Sequence, residues 1–352
     1  MELDHGLRIG CSSERPAADI TMADGRAPEL VRVRHVNAYA QAMCSMGDDA
    51  EGSLERAGIP GGCLVDDTGL VPLSYFEQFL SANWSGSELS EFSYHAAPGN
   101  LSDYCGLAGQ MAEFGTLRHA LESGSVGAAE MTNLTIRLAS SQRKTWLYAA
   151  PLSRGSTGLA WSPYLLRSIL ALVRAVAGDT WWPERVLLPC PGAKRLESLD
   201  ICSHAQVEFG MDAVAIRVPG EILDRTWPSP RAEYTAAADD GEIPSDLVGA
   251  LRALLKSFSR DRPLQLSTVA QLTGCSARSL QRELHRAGVS YTTLTQEARF
   301  LAAVQLLADT DSTVTDVAYE LGYSDPAHFS RAFQRNAGAS PRAFRELGHA
   351  MV

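Results

Sequence analysis

Arg278, Gln281 and Arg282 sit close together in the last quarter of the chain, and His285 follows one helical turn later. Arginine presents a planar fork that fits O6 and N7 of guanine, and glutamine pairs in the same two-point way with adenine. Such a set carries the chemistry of reading base edges. A second, sparser set follows: Ser324, Ala327, His328, Ser330, Arg331 and, one turn on, Arg335. Its long donors are fewer, which suits holding phosphates more than choosing sequence. Neither set can act unless its members share the exposed face of a helix.

The surrounding pattern supplies that face twice, with Gly274 and Gly322 marking the two copies 48 residues apart. The first copy runs Val269-Ala270-x-Leu272-x-Gly274-Cys275-Ser276, and the second runs Val317-Ala318-x-x-Leu321-Gly322-Tyr323-Ser324-Asp325. Ser276 and Asp325 align as N-caps, the second followed by Pro326 at the first helical position, where proline is tolerated. From each cap an apolar residue lies at +4 (Leu280, Phe329), an arginine at +6 (Arg282, Arg331) and an apolar residue at +8 (Leu284, Phe333). Positions +4 and +8 share one helical face, so +2, +3, +5 and +6 turn outward. These place Arg278, Ser279, Gln281 and Arg282 on the first outward face. On the second they place Ala327, His328, Ser330 and Arg331. Each copy reads as a helix-turn-helix, a unit that lays one helix in the major groove of DNA. The second turn is one residue longer than the first.

The elements that position these faces are helical throughout. Leu247 to Ser259 reads as a helix with an apolar face at Leu251, Leu254, Leu255 and Phe258. Tyr291 to Ala308 reads as the helix connecting the two units, with Leu294, Ala298, Leu301, Val304 and Leu307 as its inner stripe. Arg299, on that helix, reads as a structural residue paired with an acid such as Glu297. A polar stretch from Pro230 to Pro244 separates this part from what precedes it. The expected organisation is a disordered leader at 1–27, an α+β sensing or dimerisation domain at 28–229, a linker at 230–244 and an all-α domain at 245–352. Within the α+β domain, 35–46, 73–84, 101–114, 116–122 and 163–177 read as helices. Thr116 caps one of them, and Ser162 with Pro163 opens another. Asn133–Leu138 and Thr145–Tyr148 read as a hairpin turned by 140–143, with further strands at 185–188 and 213–218.

Charge follows the same division. The chain of 352 residues carries a net charge of −10, but from Ser245 to Glu346 there are 12 Arg+Lys against 10 Asp+Glu, so the acidity lies elsewhere. A mildly basic reader on an acidic body is compatible with DNA binding through local patches. The seven cysteines show no CxxC or Cys/His ligand spacing, so neither a zinc site nor a disulfide framework is expected, and a reducing cytoplasm fits. Cys105, Cys190 and Cys202 read as oxidant sensors or, in the favoured reading, as packed core residues. No apolar run is long enough to span a bilayer. There is no Gly-x-Ser-x-Gly elbow, Walker loop, His-Glu-x-x-His or Gly-x-Gly-x-x-Gly, and Cys190 between two prolines does not suit a nucleophile elbow, so neither catalysis nor a cofactor is expected.

The stretches Val269–Leu284, Ala298–Thr310 and Val314–Arg345, closing on Gly338-x-Ser340-Pro341-x-x-Phe344-Arg345, resemble the DNA-binding domain of the AraC/XylS family of bacterial transcriptional regulators. The resemblance implies two recognition helices in successive major grooves of promoter DNA. It carries base-contact roles onto Arg278, Gln281, Arg282, His328 and Arg331. Pro326-Ala327 departs from the polar residues common at those positions in the family. The preceding domain lacks the His-x-His and glutamate of the sugar-binding cupin type. Through Thr68–Pro72, Gly106–Gly109, Thr116–Leu121 and Val207–Gly210 it is similar to the ornithine-utilisation and mycobacterial virulence branch. That implies an effector-binding or dimerising domain, in a protein acting as a homodimer, mainly as an activator working with RNA polymerase on the nucleoid. All six tryptophans precede residue 230. Trp84, Trp146, Trp161, Trp181, Trp182 and Trp227, with Tyr148, Tyr164, Arg167 and Arg174, could line a pocket that takes a small anionic or planar effector, and Trp146, Tyr148, Trp161, Tyr164, Arg167 and Arg174 are the candidates chosen from them. The alternative is control by a protein partner or by dimerisation alone.

Overall fold

The computed structural model describes residues 27–97, 114–122, 136–141, 144–149, 159–192, 194–211, 213–227, 243–244, 246–259, 264–309 and 312–349. The expected leader, the expected linker and the expected helix at 101–114 lie almost wholly outside the described residues. So do Cys105 and residues 142–143 of the expected hairpin turn.

Near the start, β1 (Leu30–Arg32) runs straight into α1 (Val33–Ser45) and pairs antiparallel with β2 (Leu70–Pro72), which runs into α3 (Leu73–Asn83). Helix α2 (Ala50–Arg56) lies between them in sequence, and α4 (Gly86–Ala96) follows. After α5 (Leu117–Glu122) come the hairpin β3 (Ile136–Ser141) and β4 (Lys144–Ala149), then α6 (Ser162–Ala177) and β5 (Arg185–Leu188). Short α7 (Lys194–Glu197) and α8 (Asp200–His204) lead to β6 (Gln206–Phe209), β7 (Val214–Arg217) and α9 (Gly220–Leu223). The strands form an open mixed sheet in the order β3-β4-β7-β5-β6, in which only β5 and β6 are parallel.

Strand alternation divides the sheet into two faces. Leu147, Val186, Leu188, Val214 and Ile216 join the main core, whereas Trp146, Leu187 and Ala215 form a separate cluster on the other side. Helix α6 is buried almost continuously from Ser162 to Val173, because it packs against both the sheet and α4. A helix apolar all round belongs inside a core. Its first-turn serine does not act as the expected cap: Trp161 holds that position and the Ser162 hydroxyl donates to the Leu159 carbonyl. The hairpin also differs from expectation. Ser141 pairs with Lys144, so the strands absorb residues assigned to the turn.

The C-terminal part consists of α10 (Leu247–Ser257), α11 (Leu266–Leu272), α12 (Ala277–Arg286), α13 (Tyr291–Asp309), α14 (Val314–Glu320), α15 (Pro326–Ala337) and α16 (Pro341–His349). It has two small cores, one for each helix-turn-helix. Leu294 and Ala298 of α13 enter the first, and Ala302, Ala303, Leu306 and Leu307 enter the second. The expected stripe through Leu301 is corrected here, since that side chain is 49% exposed. Buried positions 294, 298, 302 and 306 step by four, so the stripe drifts by about 40° at each step. Leu301 falls outside it as the helix passes from one core to the other.

Helix α10 is the second correction, because its apolar residues do not form one face. Ala250, Leu254 and Phe258 belong to the core of the α+β part, while Leu251 and Leu255 belong to the core of the first helix-turn-helix. Polar contacts reinforce both sides. The Leu70 amide donates to Ser257 Oγ at 2.7 Å, Lys256 Nζ lies 3.6 Å from Asp66, and Arg252 donates to Glu297 at 3.1 Å. Burial pushes the Asp66 carboxyl up, but hydrogen bonds from Thr68 and the Lys256 ammonium outweigh it and hold it below its ordinary value. Gly69 sits in this seam: a Cβ there would lie 2.9 Å from the Asp66 carbonyl and 3.1 Å from Ser257 Oγ. Gly69→Ala is therefore expected to destabilise the chain by about 1–3 kcal/mol, the usual cost of overpacking. Denaturant unfolding measures it, and an unchanged midpoint would show that the seam yields freely.

Candidate nucleic-acid interface

Each recognition helix begins from the same local device. Gly274 (φ 66°) and Gly322 (φ 77°) adopt the left-handed conformation that ends the preceding helix. The next residue then bonds back five positions, Cys275 N–H to the Ala270 carbonyl and Tyr323 N–H to the Ala318 carbonyl, both at 2.9 Å. This is the glycine-closed helix end. Ser276 then caps α12 by accepting from the Ser279 amide, and Asp325 caps α15 by accepting from the Ala327 amide, which confirms the longer second turn.

Burial sorts the two helices as the +4/+8 spacing requires. Leu280 and Leu284 are buried beneath α12, and Phe329 and Phe333 beneath α15. Arg278, Gln281, Arg282 and His285 are exposed together on α12; Ala327, His328, Arg331 and Arg335 are exposed on α15, with Ser324 in the turn before it. The two serines behave differently. Ser279 is half-buried with its hydroxyl 3.0 Å from Ser276 Oγ, and Ser330 donates to the Pro326 carbonyl, so both hydroxyls already have partners within their own helices. His328 leans on Tyr323 with ring centroids 5.8 Å apart, and Tyr323 packs in turn on Phe329.

Charge on the two faces is unequal. Glu283 pairs with Arg286 at 2.7 Å and lies 3.7 Å from Arg282, while Arg331 lies 3.9 Å from the capping Asp325. Both arginine side chains remain more than half exposed, at 55% and 69%, so neither loose pairing holds them against a stronger phosphate or base partner. The 19-residue α13 sets the separation of the units; its length of about 28 Å approaches the duplex repeat of ~34 Å. Tyr291 anchors its start by donating to the Leu264 carbonyl, and burial pushes that hydroxyl up to about 12. Arg345 anchors its end by donating to the Leu307 carbonyl. Arg299 does not pair with Glu297, which is taken by Arg252; its guanidinium lies 5.9 Å from the Tyr323 ring centroid. It thereby ties the connecting helix to the second turn, a role that spacing alone did not reveal.

The second unit has a strong start. Thr313 and Asp316 form a reciprocal capping box at the N-terminus of α14, and the hydrogen bonds from Thr313 hold the Asp316 carboxyl below its ordinary value. A depressed carboxylate stabilises the fold above its unfolded-state pKa, and that contribution is lost as pH falls through the folded-state value. Thr313→Ala is expected to cost about 1 kcal/mol. Amide exchange across 314–320 in wild type and variant tests it; equal protection at neutral pH would remove the box from the account.

The six candidates for an effector pocket are not gathered in one place. Trp161 and Tyr164 are buried in an aromatic core with Tyr39 and Phe76, where Tyr164 hydrogen-bonds His35 at 2.6 Å. Trp146 and Tyr148 lie on the opposite face of the sheet. Arg167 and Arg174 are engaged with rings along α6, over Tyr94 and Trp182 respectively. Sequence proximity misled here, because helix and strand periodicities send neighbouring aromatics to different faces. The thiols of Cys190 and Cys202 are pushed up by burial, which keeps them protonated and poor nucleophiles. Among the described residues no helix is long and apolar enough to cross a membrane, and no cluster of metal-ligating side chains occurs.

Two capped recognition helices carried on one connecting helix, behind an α+β domain, define a DNA-binding regulator of the tandem helix-turn-helix class. Residues 269–347 match the helix-turn-helix domain family, and residues 47–227 match the arabinose-binding N-terminal domain of AraC transcription regulators. The chain belongs to the AraC family of transcriptional regulators. Its relatives include the transcriptional activator RhaS of Enterobacter sp. (strain 638), 39% identical over 80 residues covering 22% of this chain and 29% of that protein. They also include the ornithine utilization regulator of Pseudomonas aeruginosa, 31% identical over 105 residues covering 30% of this chain and 31% of that protein. The chain spans about a third of the length of the curated relatives it matches. Among solved structures, the transcriptional regulator CdpR from Pseudomonas aeruginosa is 19% identical, covering 89% of this chain and 97% of that one, with a TM-score of 0.38. These families and relatives are transcriptional regulators, not enzymes.

Proposed function

We propose that this regulator responds to a small molecule held by its α+β domain and acts mainly as an activator, as a homodimer that recruits RNA polymerase to promoter DNA on the cytoplasmic nucleoid. Arg278, Gln281 and Arg282 choose the sequence. His328, Arg331 and Arg335 clamp the second groove, with Ser324 and Ala327 beside the backbone and Ser279 and Ser330 supporting the helices. The activator reading draws on the relatives described as activators.

The observation that carries the proposal is α10, one helix buried in two cores. A ligand that alters the α+β core must strain or relax a helix that shares its other core with the first reader. A population shift between presentations of α12 then follows from any ligand with unequal affinity for the two states. Helices that belong to two cores at once give such coupling a physical route.

Genome-wide mapping of DNA bound by the full chain, with transcription measured from the neighbouring promoters, tests this. Enriched sites carrying two half-sites about one helical turn apart, with transcripts rising when the protein is supplied, are the expected result. Falling transcripts would overturn the activator assignment, and a co-purifying protein required for occupancy would replace the small molecule by a protein signal.

A further inference from the structure

At the end of the sheet where β4 and β5 begin and β7 ends lies a cleft of about 420 Å³. Its walls come from Trp181 and Trp182 on one side and the turn from Val218 to Glu221 on the other, with Thr145, Glu184 and Arg217 also in its lining. The volume falls within the range of small-molecule sites.

The partners of these groups decide what the cleft accepts. Trp182 is fully engaged: the Arg174 guanidinium sits 4.0 Å over its ring, and the His204 ring stacks on it at 4.4 Å. Two groups at stacking distance cannot share one face, so both faces are covered. Trp181 is fixed through its carbonyl, which accepts from Arg174 Nε at 3.0 Å, yet its indole has no ring partner among the described residues. Arg217 is held by Glu184 at 2.6 Å. Glu221 has no hydrogen bond or ion pair among the described residues, so the lining carries two carboxylates against one guanidinium. What remains is a half-buried indole that lines the cleft without a stacked ring and a carboxylate without a partner among the described residues, the kind of pair that recognises an organic cation.

We propose that this cleft is the effector site and that it takes a small organic cation, a protonated amine or a guanidinium, with Trp181 against its apolar body or charge and Glu221 as its counter-ion. The inference rests on the reading of the α+β domain as an effector domain. It reverses the charge expected from Arg167 and Arg174, because both guanidiniums are committed to rings and neither lines the cleft.

The test uses the full chain without DNA, titrated by calorimetry and tryptophan fluorescence with shape-matched probes: phenethylammonium against phenylacetate, and butylammonium against butanoate. The cation of each pair is expected to bind about tenfold more tightly than its anion. Glu221→Gln should remove most of that preference, Glu221→Lys should invert it, and Trp181→Leu should abolish the fluorescence response. Glu221 is exposed, so its variants are expected to retain wild-type unfolding midpoints. Equal or tighter binding of the anions, no binding by either cation, or a preference unmoved by both Glu221 variants would overturn the assignment. Operator affinity on the same samples separates the two readings. Anion binding that shifts it sinks the cation site and leaves the effector reading standing, whereas cation binding that leaves it unmoved sustains the site and counts against the effector reading.

Discussion

Arg282→Ala is expected to weaken operator binding by about 1–3 kcal/mol, roughly five- to 150-fold, and to relax preference at one base pair. The side chain stands on the exposed face of α12, set by Leu280 and Leu284 beneath it. Its neighbour Glu283 is mostly buried, at 18% exposure, and already bonded to Arg286. The contact from Arg282 to Glu283 is a loose 3.7 Å, so the guanidinium keeps its outward edge free for a two-point bond to guanine. Arg331→Ala is expected to behave differently. Its helix presents Ala327 and Ser330, whose hydroxyl donates to the Pro326 carbonyl, where the first presents Arg278 and Gln281. Its loss should weaken all sequences alike and lower the salt slope by about one. Anisotropy titrations with the operator and its single-base variants, at two salt concentrations, separate the two behaviours. If Arg282→Ala bound every variant as the wild type does, Arg282 would not be a base-reading residue. Unfolding midpoints serve as the control, since both residues are exposed.

The tandem readers were legible because local rules decide them. A left-handed glycine, a cap and an apolar pair at +4 and +8 need only a few neighbouring residues to specify a helix-turn-helix, and Gly274 and Gly322 realise the same backbone bonds in both copies. The longer second turn was readable from Pro326 for the same reason. Roles that depend on distant partners were not. Arg299 meets Tyr323 across 24 positions, Arg345 meets Leu307 across 38, and Leu70 meets Ser257 across 187. The three-residue strands β1 and β2 carry no alternation long enough to register, and they exist because each is buried on both sides. The aromatic residues of the α+β domain were misjudged as a group because composition counts them and periodicity disperses them.

Leu251→Ala and Leu254→Ala, three residues apart on α10, are expected to damage different functions with similar losses of stability. Both side chains are fully buried, so each truncation should cost about 2–5 kcal/mol. Leu251 shares the core of the first helix-turn-helix with Val269, Leu280 and Leu284, the residues that hold α12 in place. Its loss loosens the first reader directly, and operator affinity should fall with it. Leu254 packs with the β2–α3 side of the α+β core instead, and its loss should leave operator contacts intact. The wild-type chain is expected to unfold in one cooperative transition, because α10 cannot leave one core without leaving the other. Leu254→Ala should split that transition in two, the α+β part melting first. Denaturant unfolding followed by tryptophan fluorescence reports the α+β part alone, since all six tryptophans precede residue 230, while far-UV circular dichroism follows the whole chain. Divergence of the two signals in Leu254→Ala, with operator affinity retained, is the signature of a shared helix that transmits. Coincident signals in both variants, with equal losses of operator affinity, would mean that α10 supports both cores without distinguishing them, and a signal from the effector domain would then need another route to the DNA.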